Sequence, residues 1–292
     1  VSLLGRPNVG KSTLVNALIG QKIAAVSPKP QTTRTRQLAI YTDEDAQIIL
    51  MDTPGMHNPI HKLGRVMNAI VEETLQDSDV ILWLVDASLP PQPEDQLIAD
   101  FIKEAKHLPP IVLGLNKVDL LSDEDIEKQV DLFKNLFPDA AHVLQLSARK
   151  PIGLDKLLDL LKEMLPVGAP YYPEEQITDY QERQIAANLI RESALMFLQQ
   201  EVPHAIAVRV DEYSERDHGA AYIAATLFVE KDSQKGIVIG KGGGVLKKVG
   251  SAARLELEKE TGWRVYLELF VKVQKEWSRD EKMLRRLGYE PG

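Results

Sequence analysis

The chain has 292 residues, 44% of them hydrophobic, enough for one large or two ordinary domains with real cores and too many for wholesale disorder. It contains no cysteine, which excludes disulfides, thiolate metal sites and a cysteine nucleophile and fits a reducing compartment. Its 35 lysines and arginines against 43 aspartates and glutamates give a net charge of −8, which argues against non-specific nucleic-acid binding by the chain as a whole.

The first apolar run, "VSLL" (1–4), leads directly into a glycine-lysine loop with no secretory signal in view. A strand normally needs a few residues before such a loop, so the sequence is expected to lack its native start. No apolar run approaches the roughly 18 residues of a membrane span. The runs "AQIILMD" (46–52), "VILWLVD" (80–86) and "IVLGLNK" (111–117) are compact and end in polar residues. Buried parallel strands read this way, with working loops at their C-terminal ends. Residues 11–18 and 93–105 read as helices between them. The alternation predicts an α/β domain over 1–166, a mostly parallel sheet with helices on both faces. The prolines and glycine of "PVGAPYYPEEQ" (166–176) mark a linker, set at 167–177.

Over 178–292 the order changes. Residues 181–200 carry Ile185, Leu189, Met196 and Phe197 at helical spacing. "AIAVRVDEY" (205–213) and "AAYIAATLFVE" (220–230) read as strands joined by a polar turn at 215–219. A short helical stretch ends at Gly240, and a longer helix follows at about 245–260. In the last strand Val265, Leu267, Leu269, Val271 and Val273 alternate with Tyr266, Glu268, Phe270 and Lys272, one face for a core and one for solvent or a partner. The order α-β-β-α-α-β is that of a smaller α+β domain.

"GRPNVGKST" (5–13) carries the pattern G-x-x-x-x-G-K-[ST] after a strand and before a helix. Glycines let main-chain amides converge on phosphates, and the helix N-terminus adds positive potential. Gly5, Asn8, Val9, Gly10, Lys11, Ser12 and Thr13 are therefore candidate phosphate-binding residues, with Lys11 reaching the β- and γ-phosphates and Ser12 offering its hydroxyl to Mg²⁺. "PKPQTTRTR" (28–36) is a loop long enough to move, and one of its threonines is expected to complete the metal site. "DTPG" ends a strand, so Asp52 is placed to hold the Mg²⁺ shell through water and the Gly55 amide to meet the γ-phosphate. In "NKVD", Asp119 accepts two hydrogen bonds that guanine offers and adenine does not, a loss of about 1–3 kcal/mol for the wrong base. Asn116 and the Lys117 stem flank the base, and Ser147, Ala148 and Arg149 of "SAR" bring main-chain amides near its oxygen.

These five segments, in this order, resemble the translation-factor-like branch of regulatory GTPases. The resemblance implies Mg²⁺-dependent hydrolysis of GTP to GDP with two switch loops. It favours Thr33 over Thr32 as the metal ligand beside Ser12 and Asp52, and it makes Lys11, Thr33 and Gly55 the catalytic set. Met56 stands where the best-known small GTPases carry a glutamine that orients the attacking water, so intrinsic hydrolysis is expected to be slow. Neighbouring His57 is read as a loop histidine rather than a catalytic one. Asn8 resembles an asparagine that helps hold K⁺ beside the phosphates in several such GTPases.

A second glycine-lysine loop, "GIVIGKGGG" (236–244), lacks the preceding strand and the [ST], so it is no second nucleotide site. It lies between two helices in a segment, 231–250, with five lysines and one acid, Asp232. A solvated lysine face is the plain alternative for such an island. The context instead resembles a type II KH domain, whose G-x-x-G loop clamps single-stranded RNA. The residues then assigned to RNA are Ile237, Val238 and Ile239 as the apolar wall of a groove, the loop Gly240, Lys241, Gly242 and Gly243, and Lys247 and Lys248 for phosphates.

From the first loop to the tail "KVQKEWSRDEKMLRRLGY" (272–289), by way of "PQTTR", "DTPGMH", "YYPEEQITD" and "VIGKGG", the chain resembles the Era family of bacterial GTPases. That resemblance implies binding to 16S rRNA near its 3′ end, assistance in assembling the small ribosomal subunit, and GTP-controlled RNA binding. It also implies a cytoplasmic monomer with peripheral association with the inner membrane. Two rival readings are a tRNA-modification GTPase, whose chemistry would need further domains, and a passive RNA scaffold, against which intact Lys11, Ser12 and Asp52 speak. The expected coupling runs from Thr33 and Gly55 to the RNA domain across the linker.

Overall fold

In a computed structural model of the chain, all residues are described except 28, 30, 60, 106, 180–181, 199–201, 217–218 and 290–292, together with the side chain of 204. Part of the basic loop at 28–36 and the middle of the polar turn at 215–219 thus lie outside the described residues.

The first half builds six strands, β1 (Ser2–Leu4), β2 (Gln37–Thr42), β3 (Gln47–Asp52), β4 (Ile81–Asp86), β5 (Ile111–Asn116) and β6 (His142–Gln145), in the order β2-β3-β1-β4-β5-β6. Every pairing is parallel except β2 with β3. The helices are α1 (Lys11–Ile19), α2 (Lys62–Gln76), α3 (Pro93–Glu104), α4 (Asp123–Leu136) and α5 (Leu154–Met164). Two cores cover the two faces, as the continuous apolar runs require. On one, Leu14 and Leu18 of α1 and Leu157 and Leu161 of α5 pack with Leu3, Leu50 and Leu82. On the other, Val71 of α2, Ile98 of α3 and Phe133 of α4 pack with Leu4, Trp83 and Leu113. Because β1 lies between β3 and β4, the strand order reverses there, and a crevice opens past the C-terminal end of β1 where the first glycine-lysine loop begins. The edge strand β2 has no counterpart in the predicted elements; it is half-buried and lacks a compact apolar run.

The segment read as a linker is irregular but runs along the first sheet. The amides of Tyr171 and Tyr172 donate to Gln47 Oε1 (2.8 and 2.9 Å), the Ile40 amide to Ile177 O (2.8 Å), and Thr178 Oγ1 to Leu38 O (2.6 Å).

The second half comprises α6 (Glu182–Phe197), α7 (Val202–Ala205), β7 (Ala207–Arg216), β8 (Ala220–Val229), α8 (Asp232–Ile239), α9 (Gly244–Thr261), β9 (Arg264–Val273) and α10 (Glu281–Arg286). Its sheet runs β7-β8-β9, antiparallel then parallel. α6, α8 and α9 close one face through Leu189, Ile190, Val238, Val249 and Leu257 over Ile223, Leu227 and Val265. The exposed–buried alternation along β9 follows the pattern read from its sequence.

The tail after β9, which the sequence assigns to the second domain without naming an element, packs against the first half. Trp277, Met283, Leu284 and Tyr289 close with Leu63 and Met67 of α2 and with Ala207 and Phe228 into one buried cluster. Each such side chain contributes about 1.5–3 kcal/mol when fully buried. Lys22, just after α1, bridges Glu192 of α6 (3.0 Å) and Glu256 of α9 (2.8 Å) across the same seam. Among the described residues, no helix is long and apolar enough to cross a membrane.

Candidate functional site

At the C-terminal end of β1 the chain turns through the first loop. Gly10 has φ +106°, and a Cβ there would lie 2.3 Å from Asn116 Nδ2, so only glycine fits. Lys11 is 6% exposed and its ammonium donates to the carbonyls of Gly5 (2.9 Å) and Arg6 (3.2 Å). Burial pulls its pKa down to about 8, against the attraction of Asp52.

Three oxygens meet beside it. Ser12 Oγ donates to Asp52 Oδ2 at 2.6 Å, Thr33 Oγ1 donates to the same oxygen at 3.2 Å, and the two hydroxyls are 2.9 Å apart. Burial raises the Asp52 pKa above the ordinary carboxylate range, against the pull of Lys11, Ser12 and Thr33. Its Oδ1 is buried with no hydrogen-bond partner. A buried carboxylate with one unsatisfied oxygen and two hydroxyls alongside suits a small hard cation that takes its remaining ligands from phosphate and water. Among the described residues there is no cluster of three acidic or histidine ligands that would form an all-protein cage. Thr32 also borders the cleft, but its hydroxyl donates to Lys29 O (2.8 Å), whereas that of Thr33 lies beside Ser12 and Asp52.

Pro7, Asn8, Gly10, Lys11, Ser12, Thr13, Thr33, Gly55, Lys117 and Arg149 are brought together around a cleft of about 550 Å³. The Val9 side chain is fully buried in the first core, leaving its main chain for the loop. Asn116, Asp119, Ser147 and Ala148 are not among the cleft walls. Asn116 Nδ2 donates to Val9 O (2.7 Å) and its Oδ1 accepts from the Ala148 amide (3.0 Å), so this side chain staples three loops together. The Ser147 amide is likewise committed to Ile152 O (3.0 Å). Asp119 Oδ1 accepts from Ser147 Oγ (2.7 Å). Lys117 adopts the left-handed backbone region (φ 68°) and its ammonium reaches Asn8 O (2.9 Å) and Asp86 (2.5 Å). Asp86, at the end of β4, was not singled out from the sequence, although it closes an apolar run just as Asp52 does.

Met56 is 3% exposed in the second core and cannot face the cleft. His57 is half-buried rather than a free loop side chain: Nδ1 pairs with Gly55 O (3.0 Å) and Nε2 with Gln31 Nε2 (3.2 Å), joining the two loops that flank the cleft.

The second glycine-lysine loop projects between α8 and α9. Gly240 has φ +72°, and a Cβ there would sit 2.5 Å from Val245 Cγ2, whereas Lys241 is exposed at the tip. A groove of about 410 Å³ opens beside it between α9 and β9, lined by Gly243, Leu246, Lys247, Gly250, Arg254, Leu267 and Leu269 among others. The apolar wall is therefore not Ile237, Val238 and Ile239 together. Those residues are helical, so they point about 100° apart, and Val238 is fully buried in the core while Ile237 is 45% exposed. The wall residues repeat at helical spacing along α9, a signal the sequence did contain.

A family model described as 50S ribosome-binding GTPase matches residues 1–117, and a KH-domain model matches 201–278. GTPase Era of Geobacter metallireducens is 45% identical over 290 residues, covering 99% of this chain and 96% of that protein. The chain belongs to the Era family of GTPases. Two solved Era structures superimpose on nearly the whole of it. Era in complex with MgGDPNP and nucleotides 1506–1542 of 16S ribosomal RNA has a TM-score of 0.94 at 37% identity, covering 99% of this chain and 97% of that one. A tyrosine-to-alanine variant of Aquifex aeolicus Era bound to GDP·AlF₄⁻ has a TM-score of 0.93 at 37% identity, covering 99% and 98%. The Era-family architecture accounts for both glycine-lysine loops, one in each domain, and for the tail packed across their seam.

Proposed function

We propose that this protein is a GTP-hydrolysing switch that binds the 3′ region of 16S rRNA through its KH domain and assists maturation of the small ribosomal subunit. The observation that carries the reading is the meeting of Ser12, Thr33 and the half-satisfied Asp52 beside buried Lys11, in a chain that also presents an open G-x-x-G loop. In this reading Ser12, Thr33 and Asp52 hold Mg²⁺, which neutralises charge on the phosphates, and Lys11 binds the β- and γ-phosphates. The main chain of 5–13 and Gly55 cradles the phosphates, and Lys117, Asp119 and Arg149 recognise guanine from loops that Asn116, Ser147 and Ala148 hold in place. Gly240–Gly243, Lys247, Lys248 and the α9–β9 groove grip single-stranded RNA.

With Met56 buried, no side chain at that position orients the attacking water, so intrinsic turnover is slow. Asn8 would help hold a K⁺ ion, which would supply charge in place of an arginine finger; equal hydrolysis rates in sodium and potassium would contradict that part. The protein works as a cytoplasmic monomer, with peripheral contact to the inner membrane.

GTP turnover, measured with and without an oligonucleotide of the 1506–1542 sequence found in the Era complex, tests the reading. RNA is expected to change turnover or nucleotide affinity by about fivefold or more, the lower end of ordinary coupling between sites. No effect on either would sink it. The double variant Lys241→Glu, Gly242→Asp is expected to weaken that RNA about 100-fold while basal turnover stays within twofold, because it places negative charge against phosphates at an exposed tip. Nothing lies within 4 Å of a Cβ at Gly242, but its φ of +58° is a left-handed backbone that strains any side chain, aspartate less than most, so a thermal melt accompanies the binding measurement.

A further inference from the structure

Thr33 and Arg34 are consecutive, yet their side chains end in different domains. Thr33 Oγ1 is within 3.2 Å of both Ser12 and Asp52 at the cation site. The Arg34 guanidinium is buried in the second half, the residue being 3% exposed. Its Nη1 donates to Ile206 O (2.8 Å) and Nη2 to Pro203 O (3.5 Å), and its Cζ lies 5.6 Å from the Trp277 ring centroid and 5.8 Å from that of Tyr289. Trp277 is itself fixed by donation from Nε1 to Ala205 O (2.9 Å). Two residues before Thr33, the Gln31 carbonyl accepts from Arg191 of α6 (3.1 Å). The loop that carries Thr33 is thus clipped on both sides to the KH half by direct contacts rather than through the linker.

We propose that Arg34 is a positioning residue: it holds Thr33 at the cation site by anchoring the next residue in the KH domain, and so ties the metal-bound state to the pose of that domain. The inference rests on the reading of the two halves as a GTPase and an RNA-binding domain. Consecutive Cα atoms are about 3.8 Å apart, so the Thr33 backbone cannot withdraw from the site without pulling on Arg34 or on the corner of α7 that receives it. A guanidinium suits this anchor because its planar fork addresses two carbonyls while its face lies against two rings, which an ammonium cannot do.

The test uses the full chain and the variants Arg34→Lys and Arg34→Ala, the first keeping charge and stem should the second fail to fold. The magnesium concentration for half-maximal GDPNP binding is read first, with GDP affinity as the check on an intact cleft. In Arg34→Lys the magnesium requirement with GDPNP is expected to rise about tenfold while GDP affinity stays within threefold, a selective change that general loosening of the fold would not produce. The second readout is the ratio of affinities for the 1506–1542 oligonucleotide in the GDPNP and GDP states, expected to fall toward one in the variant. An unchanged magnesium requirement overturns the positioning role whatever the RNA does. A raised requirement with an unchanged RNA ratio overturns the tie to the KH pose. A wild-type chain with equal RNA affinity in both states overturns the switch reading instead, and the magnesium result still decides the role of Arg34.

Discussion

Replacing Lys11 by alanine is expected to weaken GTP and GDP about 100- to 1,000-fold and leave the melting temperature within a few degrees. Truncating one partner of a buried, hydrogen-bonded charge pair costs about 2–5 kcal/mol of binding, and 1.4 kcal/mol is a factor of ten. The structure explains why the fold survives. Lys11 is buried, its charge is already disfavoured by desolvation despite Asp52 nearby, and among the described residues its hydrogen bonds go to the carbonyls of Gly5 and Arg6. Removing it sacrifices two hydrogen bonds but relieves a buried charge. Calorimetric titration with GDP alongside a thermal melt checks both halves. Unchanged nucleotide affinity, or an unfolded variant, would show that the lysine has another role.

Asp119→Asn is expected to shift the preference for GDP over xanthosine diphosphate by about 1,000-fold. Guanine presents N1–H and a 2-amino group, two donors that suit a carboxylate. Asparagine offers one acceptor and one donor, so the 2-amino group meets an N–H₂, whereas the 2-carbonyl of xanthine meets a partner. Each mismatch at a charged or buried group is worth about 1.5–3 kcal/mol, and two of them give roughly that factor. The expected direction is set by Ser147, which donates to Asp119 Oδ1 at 2.7 Å. The substituted side chain would keep its oxygen there and turn its amide toward the base. Competition between the two diphosphates for a fluorescent nucleotide reads the ratio; an unchanged ratio would remove Asp119 from base recognition.

Much of the nucleotide site is legible in the sequence because its constraints are local. A loop that wraps phosphates needs glycines at fixed spacing, and a strand that ends at a site ends in a polar residue, as Asp52 and Asn116 do. The apolar runs likewise announce β1, β3, β4 and β5, and the periodicity of β9 gives its two faces. What spacing does not encode is pairing between residues far apart in the chain. Nothing near Arg34 announces that Trp277 and Tyr289 receive it, and nothing in the tail announces that it packs on α2. The apolar string before the second loop reads as one surface, but a helix distributes neighbours around its axis, so Val238 goes to the core and the groove is left to Leu246, Leu267 and Leu269. Coupling is expected across the linker because a linker is visible in sequence; the direct seam at Lys22, Arg34 and Arg191 is visible only once the chain has folded.

The central claim is that the nucleotide held by the first loop sets the grip of the second. The most direct measurement is the affinity of the wild-type chain for a labelled oligonucleotide of the 1506–1542 sequence, by fluorescence anisotropy at fixed salt, with MgGDPNP and then with MgGDP. The account predicts tighter binding with MgGDPNP, by about tenfold or more. Affinities that agree within twofold in the two states would contradict it.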